Sequence, residues 1–165
     1  MADLSREIRG VMIPVTGARL LLPNASVAEV ITFSTPETVP DAPAWLLGRL
    51  PWRGWRLPLF SFSILAGRAD AEVYNNARVV VLKALGGNAQ FPFLALLAQG
   101  FPRLTTITPD LLIANDDDGE RATGINAEVI VRDDPAVIPD LAAIETLVAE
   151  ALAASGASQT RAPVA

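Results

Sequence analysis

Along most of the chain, apolar and polar residues alternate as strands require, and only from Asp140 does the period become helical. Residues 7–15 place Val11, Ile13 and Val15 on one face of a strand, with Pro14 marking an edge or a strand end. Thr16-Gly17 predicts a hairpin turn into residues 19–22, and Pro23-Asn24 stops that strand. Asn24 or Ser26 is a candidate cap for one short helical turn through Val27, Ala28, Glu29 and Val30. Residues 34–43 carry Pro36, Pro40 and Pro43 and read as a stiff extended loop.

That loop delivers the chain to WLLGRLPWRGWRLPLFSF, residues 45–62, which hold all three tryptophans. Two apolar runs flank an Arg53-Gly54 turn, where glycine takes positive φ without a steric penalty. In the second run Trp55, Leu57, Leu59 and Ser61 share one face, and Arg56, Pro58, Phe60 and Phe62 share the other. Large residues on both faces predict a strand covered on both sides. Residues 67–76 read as a polar loop, 77–85 as a β-branched strand and Gly86-Gly87-Asn88 as a hairpin turn into residues 91–97. Residues 100–109 continue extended. A last hairpin turns at Asp133-Asp134-Pro135. Leu141, Ile144, Leu147 or Val148, and Leu152 then form a helical stripe, with Glu145 and Glu150 outward and Asp140 as N-cap. Ser155-Gly156 ends the helix, and residues 155–165 should form a disordered tail. Some eight or nine short strands and one terminal helix make an all-β barrel architecture the expected fold class.

Composition narrows the chemistry. The 165 residues are 51% hydrophobic, ample for one domain or two small subdomains sharing a core. With no Cys and no His, disulfides, the common zinc ligand sets, thiol nucleophiles and imidazole triads are excluded. Ser61 and Ser63 have no obvious base. A net charge of −5 without a basic run argues against nucleic-acid binding. The polar N-terminus is no signal peptide, and the apolar run at 91–98 is far too short to span a bilayer, so a cytoplasmic protein is expected. The glycines build no phosphate loop. NDDDGE, residues 115–120, invites a calcium reading. With Gly119 in the EF-hand glycine position, however, the first and last ligands would be Ala114 and Ile125, so a solvated acidic loop fits better. No metal or cofactor is expected.

Arg53 has two readings on its own: a turn residue that snorkels into water, or an arginine pinned by a carboxylate and presented to a partner. The order Pro43-Ala44-Trp45-Leu46-Leu47-Gly48, then Pro51-Trp52-Arg53-Gly54, then Leu57-Pro58-Leu59 resembles the central signature of the CheW family of chemotaxis coupling proteins. That signature runs as an apolar turn, Gly, an Asn-Leu-Arg-Gly turn, an apolar strand with an internal Pro, and Asp-Leu. Here Pro51-Trp52 stands for Asn-Leu and Ser61-Phe62 for Asp-Leu, while the Arg-Gly turn and Pro58 are kept. The resemblance spans roughly residues 8–152 in element order, with its specific motifs in residues 27–62.

The resemblance implies two small five-stranded β-barrels packed together with a C-terminal helix, residues 1–154 forming one domain of two intertwined barrel subdomains. It implies no active site. Such a protein is an adaptor joining a CheA-type histidine kinase to the cytoplasmic tip of a methyl-accepting chemoreceptor, in a chemotaxis or type IV pilus motility pathway. A divergent member of the ChpC type is the narrower expectation. The partner-binding residues it implies are Val27, Glu29, Val30, Arg53 and Gly54, with Glu29 and Arg53 a partly buried pair beside the groove between the barrels. A rival reading from another class is a β-barrel that holds a small apolar ligand between Trp45, Trp52, Trp55 and the phenylalanines. A hydrolase built on Asp140 and a second carboxylate has little behind it.

Overall fold

The computed structural model describes residues 8–84, 92–107, 112–114, 125–131 and 134–154. The acidic stretch 115–120, the Gly86-Gly87-Asn88 turn and the tail 155–165 lie outside the described residues.

The strands are β1 Ile8–Val15, β2 Ala18–Pro23, β3 Val27–Thr32, β4 Leu46–Trp52, β5 Trp55–Phe60, β6 Arg78–Lys83, β7 Phe93–Ala98, β8 Arg103–Ile107, β9 Leu112–Ala114, β10 Ile125–Val131 and β11 Asp134–Pro139. A four-residue helix α1, Phe62–Leu65, follows β5, and α2, Leu141–Ala154, closes the described chain. Six strands form one sheet in the order β8-β1-β2-β11-β10-β9, and five form the other in the order β3-β6-β7-β5-β4. The sheets are antiparallel except where β11 meets β2 and β5 meets β7.

Strand alternation divides the apolar residues among three clusters. In β6, Val80 and Leu82 face the layer between the sheets, whereas Val79 and Val81 face the inside of the five-stranded sheet. In β1, Val11 and Ile13 face the shared layer while Met12 joins Val129 of β10 on the far side of its own sheet. One cavity is lined by Met12 of β1, Arg103 of β8 and Val131 of β10, and strands three and four places apart in the order can line it together only if that sheet is rolled. The molecule is therefore the expected pair of packed, rolled sheets, mostly β, with a C-terminal helix. One of them gains a sixth strand in β9, which sequence patterning did not indicate.

Several local expectations are corrected. The short helical turn expected at Val27–Val30 sits earlier, as a 3₁₀ turn over Asn24–Ser26, and Val27 to Thr32 form β3 instead. Two β-branched residues in that run, Val27 and Val30, rest on the shared layer, and the antiparallel register with β6 outweighs a one-turn helix. The central strand stops at Phe60 rather than Phe62, because the Ser61 hydroxyl accepts the Ile64 N–H at 3.1 Å and caps α1. In α2 the Asp140 carboxylate accepts the Ala143 N–H at 3.1 Å, as an N-cap should. Leu141, Ile144, Val148 and Leu152 are buried as the stripe predicts. Glu145, expected outward, is 5% exposed, since it falls four residues after Leu141 and three before Val148 on the same face.

Candidate partner-binding surface

β3 and β4 are the two edges of the five-stranded sheet, and their side chains meet. β4 runs into β5 through a two-residue turn, with Trp52 paired to Trp55. Both turn residues have positive φ, +48° at Arg53 and +83° at Gly54, as the tightest right-twisted hairpins demand. A Cβ built on Gly54 would meet nothing within 4 Å, so the tip of the hairpin is open.

From this tip Arg53 reaches across the seam. Its Nη2 donates to Glu29 Oε1 at 2.8 Å and its Nε donates to the same oxygen at 3.2 Å. The indole N–H of Trp52 is a third donor to that oxygen, at 3.2 Å. The guanidinium also lies 5.1 Å from the centre of the Trp52 ring, within cation–π range. Phe93 meets the ring edge-on, centroids 4.9 Å apart. Arg53 is thus pinned by a carboxylate. Of the pair expected to be partly buried, Glu29 is half-buried, its side chain 35% exposed, whereas Arg53 is 70% exposed. A two-residue turn projects its first side chain away from the sheet, which is why the arginine stays wet.

Val27 and Val30 flank Glu29 on β3 and pack, half-buried, against the layer between the sheets. A register shift between Val27 and Glu29 locally breaks the alternation along the strand. The five residues implied by the resemblance therefore lie at the seam where the two edges of the sheet meet, three on β3 and two in the β4–β5 turn, with Glu29 and Arg53 bonded across it. Trp52 was missed as a member of this cluster. Its indole N–H needed an acceptor once the ring packed against the sheet interior, and β3 supplies it.

A stretch of the Pro-rich segment pairs with β4 as well. Glu37 N–H donates to Arg49 O and Arg49 N–H to Glu37 O, both at 2.8 Å. This close approach depends on Gly48, whose φ is +146° and whose Cβ would sit 2.5 Å from Glu37 O. Burial lowers the Arg49 pKa from its ordinary value, and the neighbouring Arg56 adds to this while Glu37 opposes it.

The tryptophans serve packing: Trp45 lies on the shared layer, and Trp52 and Trp55 lie on the interior cluster of the five-stranded sheet. A described cavity of about 250 Å³ is lined instead by residues including Arg19, Arg68 and Val137. Among the described residues no group of three or more acidic side chains is placed to hold a metal ion. No helix among them is long and apolar enough to cross a membrane.

The family model of the CheW-like domain matches residues 9–147. The chain belongs to the CheW-like domain family. Its fold is similar to the crystal structure of the scaffolding protein TtCheW from Thermoanaerobacter tengcongensis, at a TM-score of 0.68 and 14% identity over 86% of this chain and 91% of that one. No curated protein is matched by the sequence. CheW-like proteins are non-catalytic scaffolds of chemotaxis signalling, and this chain is a scaffold of that family rather than an enzyme.

Proposed function

We propose that this CheW-like protein couples the cytoplasmic tip of a methyl-accepting chemoreceptor to a CheA-type histidine kinase. The kinase would be bound on one face and the receptor on the seam formed by Val27, Glu29 and Val30 of β3 with Arg53 and Gly54 of the β4–β5 turn. The observation that supports it best is the Glu29–Arg53–Trp52 cluster, an ion pair and an aromatic ring presented at an open hairpin tip beside two half-buried valines. A receptor tip is a helical hairpin, and a helix laid along β3 would take affinity from the apolar positions and register from the exposed charge pair. Family membership makes a scaffold the class of function, and a cytoplasmic location follows from these partners.

Binding of the purified protein to a receptor-tip fragment and to the kinase regulatory domain, measured separately and then together, tests this reading. Simultaneous binding of both is the expected result. Binding of neither, or mutual displacement, would overturn it.

A further inference from the structure

We propose that residues 67–76, between α1 and β6, are a strap that opens and closes independently of the two sheets, with the Glu72 carboxylate as its catch. None of the side chains at 67–76 is buried, so the segment contributes no apolar residue to any of the three clusters. Its attachment is almost wholly by hydrogen bonds.

Those bonds converge on Glu72 from three directions. Oε1 accepts the Thr16 hydroxyl at 2.6 Å, from the β1–β2 turn, and the Gln99 amide at 3.2 Å, from the end of β7. Oε2 accepts the Ser61 hydroxyl, from the N-cap of α1. One carboxylate thus ties the strap to a turn of the six-stranded sheet and to two points on the five-stranded one. The Gln99 amide also donates to Val73 O at 2.9 Å. At the start of the strap, Ser63 O accepts Arg68 N–H at 2.7 Å and Ala69 N–H at 3.2 Å. Toward its end, Tyr74 stacks on Phe33 at 4.7 Å between ring centres.

A segment held this way opens locally at far lower free energy than the core beneath it, because opening breaks hydrogen bonds without pulling any apolar side chain of the strap out of a cluster. All three donors around Glu72 are aimed at an acceptor. A carboxylate serves them all, whereas an amide would turn an N–H toward at least one of them.

The strap contains one arginine, Arg68, which is exposed. Tryptic cleavage after Arg68 therefore reports strap opening, and cleavage after Arg53, in the hairpin tip, is an internal reference. The experiment is limited proteolysis of the full chain as wild type, Glu72→Gln and Thr16→Val, with thermal unfolding in parallel. Glu72→Gln is expected to speed the Arg68 cut relative to the Arg53 cut by about fivefold or more, and Thr16→Val by less, with the unfolding midpoint little changed. An unchanged ratio in Glu72→Gln would overturn the proposal. So would a general rise in cutting at all sites with a lowered midpoint, which would make Glu72 a brace of the whole fold.

Discussion

Glu29 and Arg53 join the two edge strands of the five-stranded sheet through a single carboxylate oxygen, which accepts from Nε and Nη2 of the arginine and from the Trp52 indole. The asymmetry of the pair decides what each substitution costs. Arg53 is largely solvated, so Arg53→Ala should lower stability by less than about 1 kcal/mol. Glu29→Ala also strips the acceptor from the half-buried Trp52 N–H and should cost about 1–2 kcal/mol. Urea unfolding of the two variants checks the order. An Arg53→Ala loss larger than that of Glu29→Ala would show the pair to be shielded in solution.

Gly48 and Gly54 both have positive φ but differ in surroundings. Gly54→Ala meets empty space and should cost only the backbone penalty, about 1–2 kcal/mol. Gly48→Ala drives a methyl group into Glu37 O and the Pro36 ring, and should cost about 3 kcal/mol or more by prying the Pro-rich segment off β4. Equal losses in denaturant unfolding would contradict the close approach at Gly48.

Tyr74 is the sole tyrosine, so its ionisation can be followed by ultraviolet absorbance. Burial raises its pKa above the ordinary value of 10.0, and the nearby Glu72 carboxylate raises it further. A folded-state pKa above the unfolded one gives a contribution that is whole below the unfolded value and is lost as pH rises through the folded one. Stability should therefore fall on the alkaline side. Glu72→Gln should move the tyrosine titration downward, toward but not fully to the ordinary value, because burial remains.

The sheets and the terminal helix were legible because their signals are periodic and local. The alternation in β1 gave its buried face, that in β5 separated Leu57 and Leu59 from Phe60, and Asp140 with its apolar stripe gave α2. β9 escaped because three residues carry no period, and α1 because a serine at a strand end looks like one more strand position until its hydroxyl is seen capping Ile64. Glu145 was misplaced because its charge outweighed its position on the helix. Of the candidate site, the Arg53-Gly54 turn could be read directly, whereas Glu29 as its partner came from family resemblance. The Trp52 bond and the Glu72 hub depend on which strands become neighbours, and that information is spread over 23 and up to 56 residues of separation.

The central claim is that the β3 edge and the hairpin tip meet one partner while another partner binds elsewhere. Its most direct test is the affinity of Arg53→Ala for a receptor-tip fragment and for the kinase regulatory domain, with Val27→Asp alongside and thermal unfolding as the control for folding. Arg53→Ala should weaken receptor binding by about tenfold, roughly 1.4 kcal/mol, and leave kinase binding near the wild-type value. Val27→Asp, which would place an unpaired charge in the contact, should weaken it at least as much. If both variants fold and bind the receptor fragment as the wild type does, the seam bridged by Glu29 and Arg53 is not the receptor surface.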